Sequence, residues 1–209
     1  RPNVMFNPAS RSPNFLLPGM MAILLLLVTV MLTAFSIVRE KERGTIEQLL
    51  VTPVRPLGLM LGKILPYFVT GIVELAILLG FMRFVFQIPM HGNVLVLGLL
   101  TTGYLFVNLA IGVLVSSKAN SQAEALQFCL VVMLLSIFLS GFMFPRETMP
   151  LWAYAFSYVV PATYMIKITR GVILRGAGLE QLWFNGAILL AMGVGLLLAA
   201  AHRFKKMTV

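Results

Sequence analysis

Residues 38–56 read VREKERGTIEQLLVTPVRP. Arg39, Lys41, Arg43 and Arg55 stand there with Glu40, Glu42 and Glu47, a helix start signal and two prolines, Pro53 and Pro56. On either side the chain turns apolar. LLPGMMAILLLLVTVMLTAFSI fills positions 16–37, and a second apolar run extends from Leu59 to Gln87. A bilayer-spanning helix needs ~20 predominantly apolar residues. The charged stretch is therefore the connection between two spans, and the rest of the fold is read outward from it.

Composition agrees. Of 209 residues, 59% are hydrophobic and 11% charged, with mean hydropathy +0.95. Soluble domains carry about 25% charged residues. The net charge of +9 does not indicate nucleic acid, because the basic residues flank apolar runs instead of forming a patch. Cys129 is the only cysteine and His91 and His202 the only histidines, with no Asp. An intrachain disulfide, a cysteine-supported metal site, a Ser-His-Asp triad and a His-Glu-x-x-His zinc motif are all excluded within this sequence.

Five spans are expected, at about 16–37, 59–87, 94–115, 125–144 and 182–201. Pro18 falls in the first turn of the first, where its missing N–H costs nothing. Lys63 and Arg83 flank the second, and Pro66 is a candidate kink. In the last, Ala187, Ala191, Gly195 and Ala199 recur every four residues, the pattern of close helix packing. Residues 1–15 hold three prolines and no apolar core, so they are not a signal peptide. They read as the tail of an extended segment whose upstream part precedes Arg1.

Residues 145–181 differ. Pro145, Pro150 and Pro161 break them into apolar pieces of ~10–14 residues, too short to span and suited to interfacial or re-entrant helices. Trp152, Tyr154, Tyr158 and Tyr164 suit the headgroup layer. The alternative is one poorly formed extra span, which would have to hold Pro161, Lys167 and Arg170 inside it. Orientation follows from charge. The 38–58 loop and the tail (Arg203, Lys205, Lys206) are basic, whereas 88–93 has no Lys or Arg. Five spans then place the N-terminus outside and the C-terminus in the cytoplasm. Arg146, Lys167, Arg170 and Arg175 run against this rule unless their segment hugs the membrane.

Within the 38–58 loop, Thr45-Ile46-Glu47-Gln48 is a capping box, and Pro53 stops a helix of about two turns. Such a helix is not stable alone in water. Ile46, Leu49 and Leu50 share one face, which either the lipid interface, the protein's own spans or a docked partner must bury.

REKERGTIEQLLVTPVRPLGLMLGK (39–63) resembles the loop after the second span of type-2 ABC exporter permeases: a charged cluster, Gly44-Thr45, a short helix, Thr-Pro, then Gly-Lys opening the next span. FLSGFMFPRETMPLWAYAFSYVVPATYMIKITRGVILRG (138–176) is similar to that family's extracytoplasmic re-entrant segment. FNPASRSPNFLLPG (6–19) resembles its exit from an extracytoplasmic domain. The resemblance implies a bacterial inner-membrane, multi-pass permease domain over 16–209, lacking here the family's first span and the domain after it. It implies partners: an ABC ATPase subunit that binds the ATP, a second permease copy or paralogue, and membrane lipid. It also implies that the permease holds no cofactor itself. The coupling residues would be Glu40, Glu42, Gly44, Thr45, Ile46, Glu47, Gln48, Leu49, Leu50 and Pro53. The outer gate would comprise Pro145, Pro150, Trp152, Tyr158 and Pro161.

The run Gly58-Leu-Met-Leu-Gly62-Lys63 is a near miss to a phosphate loop, with three residues between its glycines and Ile64 where Ser or Thr belongs; it reads better as small-xxx-small packing. Glu74 lies mid-span, where a charge is expensive. It either lines a translocation path with Asn108, pairing with a cation or proton, or is a protonated acid hydrogen-bonded inside the bundle, with Asn108 as the candidate partner. The leading expectation is the dimeric membrane subunit of an ATP-driven exporter of amphipathic or lipid-like compounds or drugs. The alternative is a secondary transporter or channel with Glu74 as coupling acid. A membrane enzyme fits least, since no pair of catalytic groups shares one membrane depth.

Overall fold

The computed structural model describes residues 12–44, 56–144 and 146–206. Thr45, Ile46, Glu47, Gln48, Leu49, Leu50 and Pro53 of the expected coupling helix, and Pro145, lie outside the described residues. The described elements are all helical: α1 (Ser12–Glu42), α2 (Pro56–Phe84), α3 (Val94–Lys118), α4 (Gln122–Leu139), a 3-10 turn (Arg146–Thr148), α5 (Leu151–Ser157), α6 (Pro161–Arg175) and α7 (Leu179–Lys206). Five of them, α1, α2, α3, α4 and α7, are long and apolar enough to cross a bilayer. The protein is an all-α membrane protein, as its sequence pattern predicts.

α3 is the hub. It packs most extensively on α7 and α1, and its buried residues run from Leu97 to Ser116. Outer helices turn large apolar residues away from the bundle: Leu65, Val69, Val73 and Ile77 on α2, and Val131, Leu134, Leu135 and Phe138 on α4. In water such surfaces would drive association. In a bilayer they are lipid contact, and helices hold together through close packing instead. Small residues supply that packing. A Cβ on Gly112 would meet Thr33 and the Val30 carbonyl of α1, and one on Gly193 of α7 would meet Phe106 and Val107 of α3.

Four local expectations are corrected. First, Ala187, Ala191, Gly195 and Ala199 face outward, and α7 instead packs through Leu182, Gly186, Leu189 and Gly193. The rotation of α7 is set by the surface of α3, not by the regularity of its own small residues. Second, Gly58 and Gly62 are exposed, and nothing lies within 4 Å of a Cβ built on Gly62. Third, α1 begins at Ser12, so Pro18 is inside it. α1 also runs on past Ile37 to Glu42, ending with Arg39 and Lys41 in its last turn, where cations suit the negative end of the helix dipole. Fourth, α4 stops at Leu139, short of Phe144. Gly141, at φ +82, takes a left-handed conformation that ends it.

Residues 140–178 leave and return at one end of the bundle. Arg170 of α6 reaches the carbonyls of Gly141 and Phe142, just past α4. One turn further along α6 the chain meets the α2–α3 connection, where His91 N–H donates to the Ile173 carbonyl at 3.2 Å. With 15 residues α6 is about 22 Å long, too short for a ~30 Å hydrocarbon core. Pro161 opens α6 at its first helical position, behind an extended Val160, where proline interrupts no hydrogen bond.

Candidate functional site

At the end of the bundle where α1 stops, three consecutive residues reach three different partners. Glu40 forms an ion pair with Lys63 of α2. Lys41 Nζ donates to the Ala119 carbonyl and to Asn120 Oδ1, each at 3.0 Å. Glu42 accepts the Gln122 backbone N–H at 2.8 Å and its side-chain amide at 2.6 Å. Ala119 caps the C-terminus of α3 and Gln122 opens α4. The cation thus meets the negative end of one helix dipole, and the adjacent anion meets the positive end of the next. The turn between those helices has its own lock. Ser121 Oγ accepts the Glu124 N–H at 3.2 Å, and Glu124 Oε2 accepts the Asn120 N–H at 2.8 Å.

Glu40 and Glu42, expected as contacts for a partner, are therefore engaged inside the chain. Gly44 sits at φ +69, just beyond α1. Lys63, expected to snorkel, is held by Glu40. Sequence reasoning missed the α3–α4 turn, although Ser121-x-x-Glu124 ahead of an apolar run is a readable capping signal.

At the opposite end, α5 presents an aromatic surface. Pro150 precedes its first turn and Tyr158 closes its last. Trp152, Tyr154 and Tyr158 are exposed. The Arg146 guanidinium stacks over the rings of Tyr154 (4.8 Å) and Tyr158 (4.6 Å), while its Nε donates to Ser157 Oγ at 3.0 Å. The two tyrosine hydroxyls share a hydrogen bond of 2.8 Å. That bond first, and then Arg146, draws the Tyr158 phenol below its ordinary pKa. Tyr164 departs from expectation. It is buried, with its hydroxyl donating to the Tyr158 carbonyl at 2.9 Å, so it ties α6 to α5 instead of facing headgroups. Arg170 is partly buried, and that burial pushes its pKa down to about 10, which leaves it a cation at neutral pH.

Glu74 and Asn108 lie within the bundle. Asn108 is fully buried, and neither its amide nitrogen nor its oxygen has a hydrogen-bond partner; the same holds for one buried oxygen of Glu74. The two side chains therefore do not bond to each other. Tyr104, one turn before Asn108, is fully buried and donates to the Ala22 carbonyl at 2.9 Å. No cluster of three or more His, Cys, Asp or Glu suited to a metal occurs among the described residues.

An all-α bundle with five spans, a charged connection after the first and a short helical hairpin before the last defines a multi-pass transport protein of permease type. The profile of the ABC-2 family transporter protein matches residues 1–202, and the chain belongs to that family. It is 32% identical over 204 residues to the probable multidrug ABC transporter permease YbhS of Escherichia coli, covering 97% of this chain and 52% of that protein. It is 30% identical over 194 residues to the inner membrane transport permease YhhJ of the same organism, covering 90% of this chain and 51% of that one. ABC transporter G family member 20 of Dictyostelium discoideum is 28% identical over 201 residues, covering 95% of this chain and 28% of that protein. The chain thus spans about half the length of its bacterial relatives.

Proposed function

We propose that this chain is the core of the membrane subunit of an ATP-driven exporter in a bacterial inner membrane. It works as a pair with a second permease copy or paralogue, and a separate ABC ATPase supplies the motion. The 38–58 connection and the C-terminus face the cytoplasm, and the α5–α6 hairpin faces outward. The observation that carries this reading is the arrangement at the end of α1. The one phosphate-loop-like run within these residues lies at the start of α2, and its Lys63 is held by Glu40, so it is a structural element and not a nucleotide site. The α1–α2 connection at that end carries Ile46, Leu49 and Leu50, which the helical spacing of the sequence puts on one face for the ATPase to dock. The cargo is an amphipathic or lipid-like compound or drug. Support for this comes from the multidrug designation of the relative YbhS and the small number of charges inside the bundle.

The test is Ile46→Asp or Leu49→Asp in the full protein, each placing a charge on the docking face. Membrane insertion should persist, while co-purification of the ATPase subunit and ATP-dependent export should fall together. Undiminished co-purification and export would overturn the assignment. One observation favours the second reading, a secondary transporter: Glu74 has an unpartnered buried oxygen within a span. Glu74→Gln separates the two. Under the exporter reading, transport continues to need ATP and shows no new dependence on a proton or sodium gradient. Under the other, gradient-driven transport exists in the wild type and disappears in the variant.

A further inference from the structure

Lys41 and Glu42 do something that neither the spans nor the docking face require. They are neighbours at the last turn of α1, yet they bond to two different helix ends. Lys41 holds the C-terminus of α3 and Glu42 the N-terminus of α4. The charge order is the only one that suits both dipoles. Reversed, it would set an anion against carbonyls and a cation against N–H groups. Glu42 is exposed and Lys41 partly so. Water screens such contacts, so they add little to stability. They do fix position: four hydrogen bonds from two adjacent residues define where the α3–α4 turn sits relative to α1.

α4 packs mainly on α1, and the turn before it is where α1 fixes its start by hydrogen bonds. Among its residues only Ala125, Cys129 and Ser136 are buried. On the other side of the same turn of α1, Glu40 holds α2 through Lys63. The ends of four spans are thus gathered on residues 40–42, immediately before the α1–α2 connection.

We propose that Lys41 and Glu42 are positioning residues of the transport cycle, holding the α3–α4 turn (119–122) to α1 so that motion imposed on the α1–α2 connection is passed directly to α4. This rests on the exporter reading, in which an ATPase moves that connection. The α3–α4 turn is then a second element of the coupling apparatus, driven through α1 and not by direct docking of the motor.

The experiment uses the full permease with its ATPase subunit in lipid nanodiscs, in a Cys129→Ser background. Spin labels at Leu134 (α4) and Leu198 (α7), each attached by oxime chemistry to a ketone-bearing non-natural residue so that neither the cross-linker nor dithiothreitol touches them, report movement of α4. Labels at Val69 (α2) and Leu198, attached in the same way, report movement of α2. All three positions are exposed. In the wild type, trapping the ATP-bound state should change both distances. In Lys41→Ala/Glu42→Ala the α4 change should be lost while the α2 change is kept, and Lys41→Arg should behave as wild type. The decisive variant is Lys41→Cys/Glu42→Ala/Asn120→Cys, joined by a short reducible bis-methanethiosulfonate cross-linker. The α4 response should return when the link is made and vanish when dithiothreitol cuts it, which a purely structural role would not produce. Persistence of the α4 response in the unlinked variant, or failure of the link to restore it, overturns the proposal. If the wild type itself shows no ATP-dependent change, the exporter reading has failed and this proposal falls with it. A wild type that responds, with variants that respond equally, refutes this proposal alone.

Discussion

One methyl group at Gly112 should separate α1 from α3 measurably. A Cβ there would lie 2.7 Å from Thr33 Cβ, 3.0 Å from Thr33 Cγ2 and 3.0 Å from the Val30 carbonyl oxygen. Ordinary contact begins at 3.4 Å, so the helices must part by at least ~0.7 Å in a closely packed region. The obstructing atoms are a β-carbon and a backbone oxygen, not the end of a flexible chain, so relief by rotamer change is closed. Overpacking of this kind costs about 1–3 kcal/mol, and rigid neighbours put it near the upper end. Ala gains up to ~1 kcal/mol over Gly in helix propensity. The net expectation for Gly112→Ala is a loss of about 2 kcal/mol, or ~4–8 °C in melting temperature for a protein of this size. Gly62→Ala is the control, because its Cβ meets nothing within 4 Å, and it should melt at or slightly above the wild type. The assay is heat-induced loss of the monodisperse peak of detergent-solubilised protein in fluorescence-detected gel filtration. A Gly112→Ala protein as stable as the wild type would refute the close α1–α3 approach.

Three further outcomes follow from the same geometry. Single cysteines in a Cys129→Ser background at Thr45 and Lys205 should label only from the cytoplasm and one at His91 only from outside; cytoplasmic labelling at His91 would overturn the orientation. Cysteines at Leu151 and Gly178, on either side of the hairpin, should label from the same side as His91, and opposite-side labelling would make α6 a true span. Pro161→Leu removes the residue that starts α6 and releases Val160 from its extended bias, so export should fall far more than membrane expression; equal losses would show a folding defect instead.

The sequence alone determined the class of this protein and its count of spans. Apolar runs of ~20 residues must be helices, because a bilayer offers no other partner for backbone N–H and C=O groups. The breaks around Pro161 were likewise legible, since proline placement divides the segment into the short helices α5 and α6. Rotation and pairing were not legible. Every face of a membrane helix is apolar, so hydrophobicity does not say which face meets protein. Among the described residues the regular stripe Ala187–Ala199 faces outward from α7, and nothing lies within 4 Å of a Cβ on Gly62. The intrachain partners of the charged residues were not legible either. Glu40 and Glu42 read as a surface for a partner because their own partners, Lys63 and Gln122, stand 23 and 80 positions away. Only the packing of α1 against α2, α3 and α4 brings them within hydrogen-bond reach. The order of charges in Glu40-Lys41-Glu42 was on the page from the start. Its meaning, an ion pair to one helix and matched ends for two more, exists only once four helix termini meet at one place.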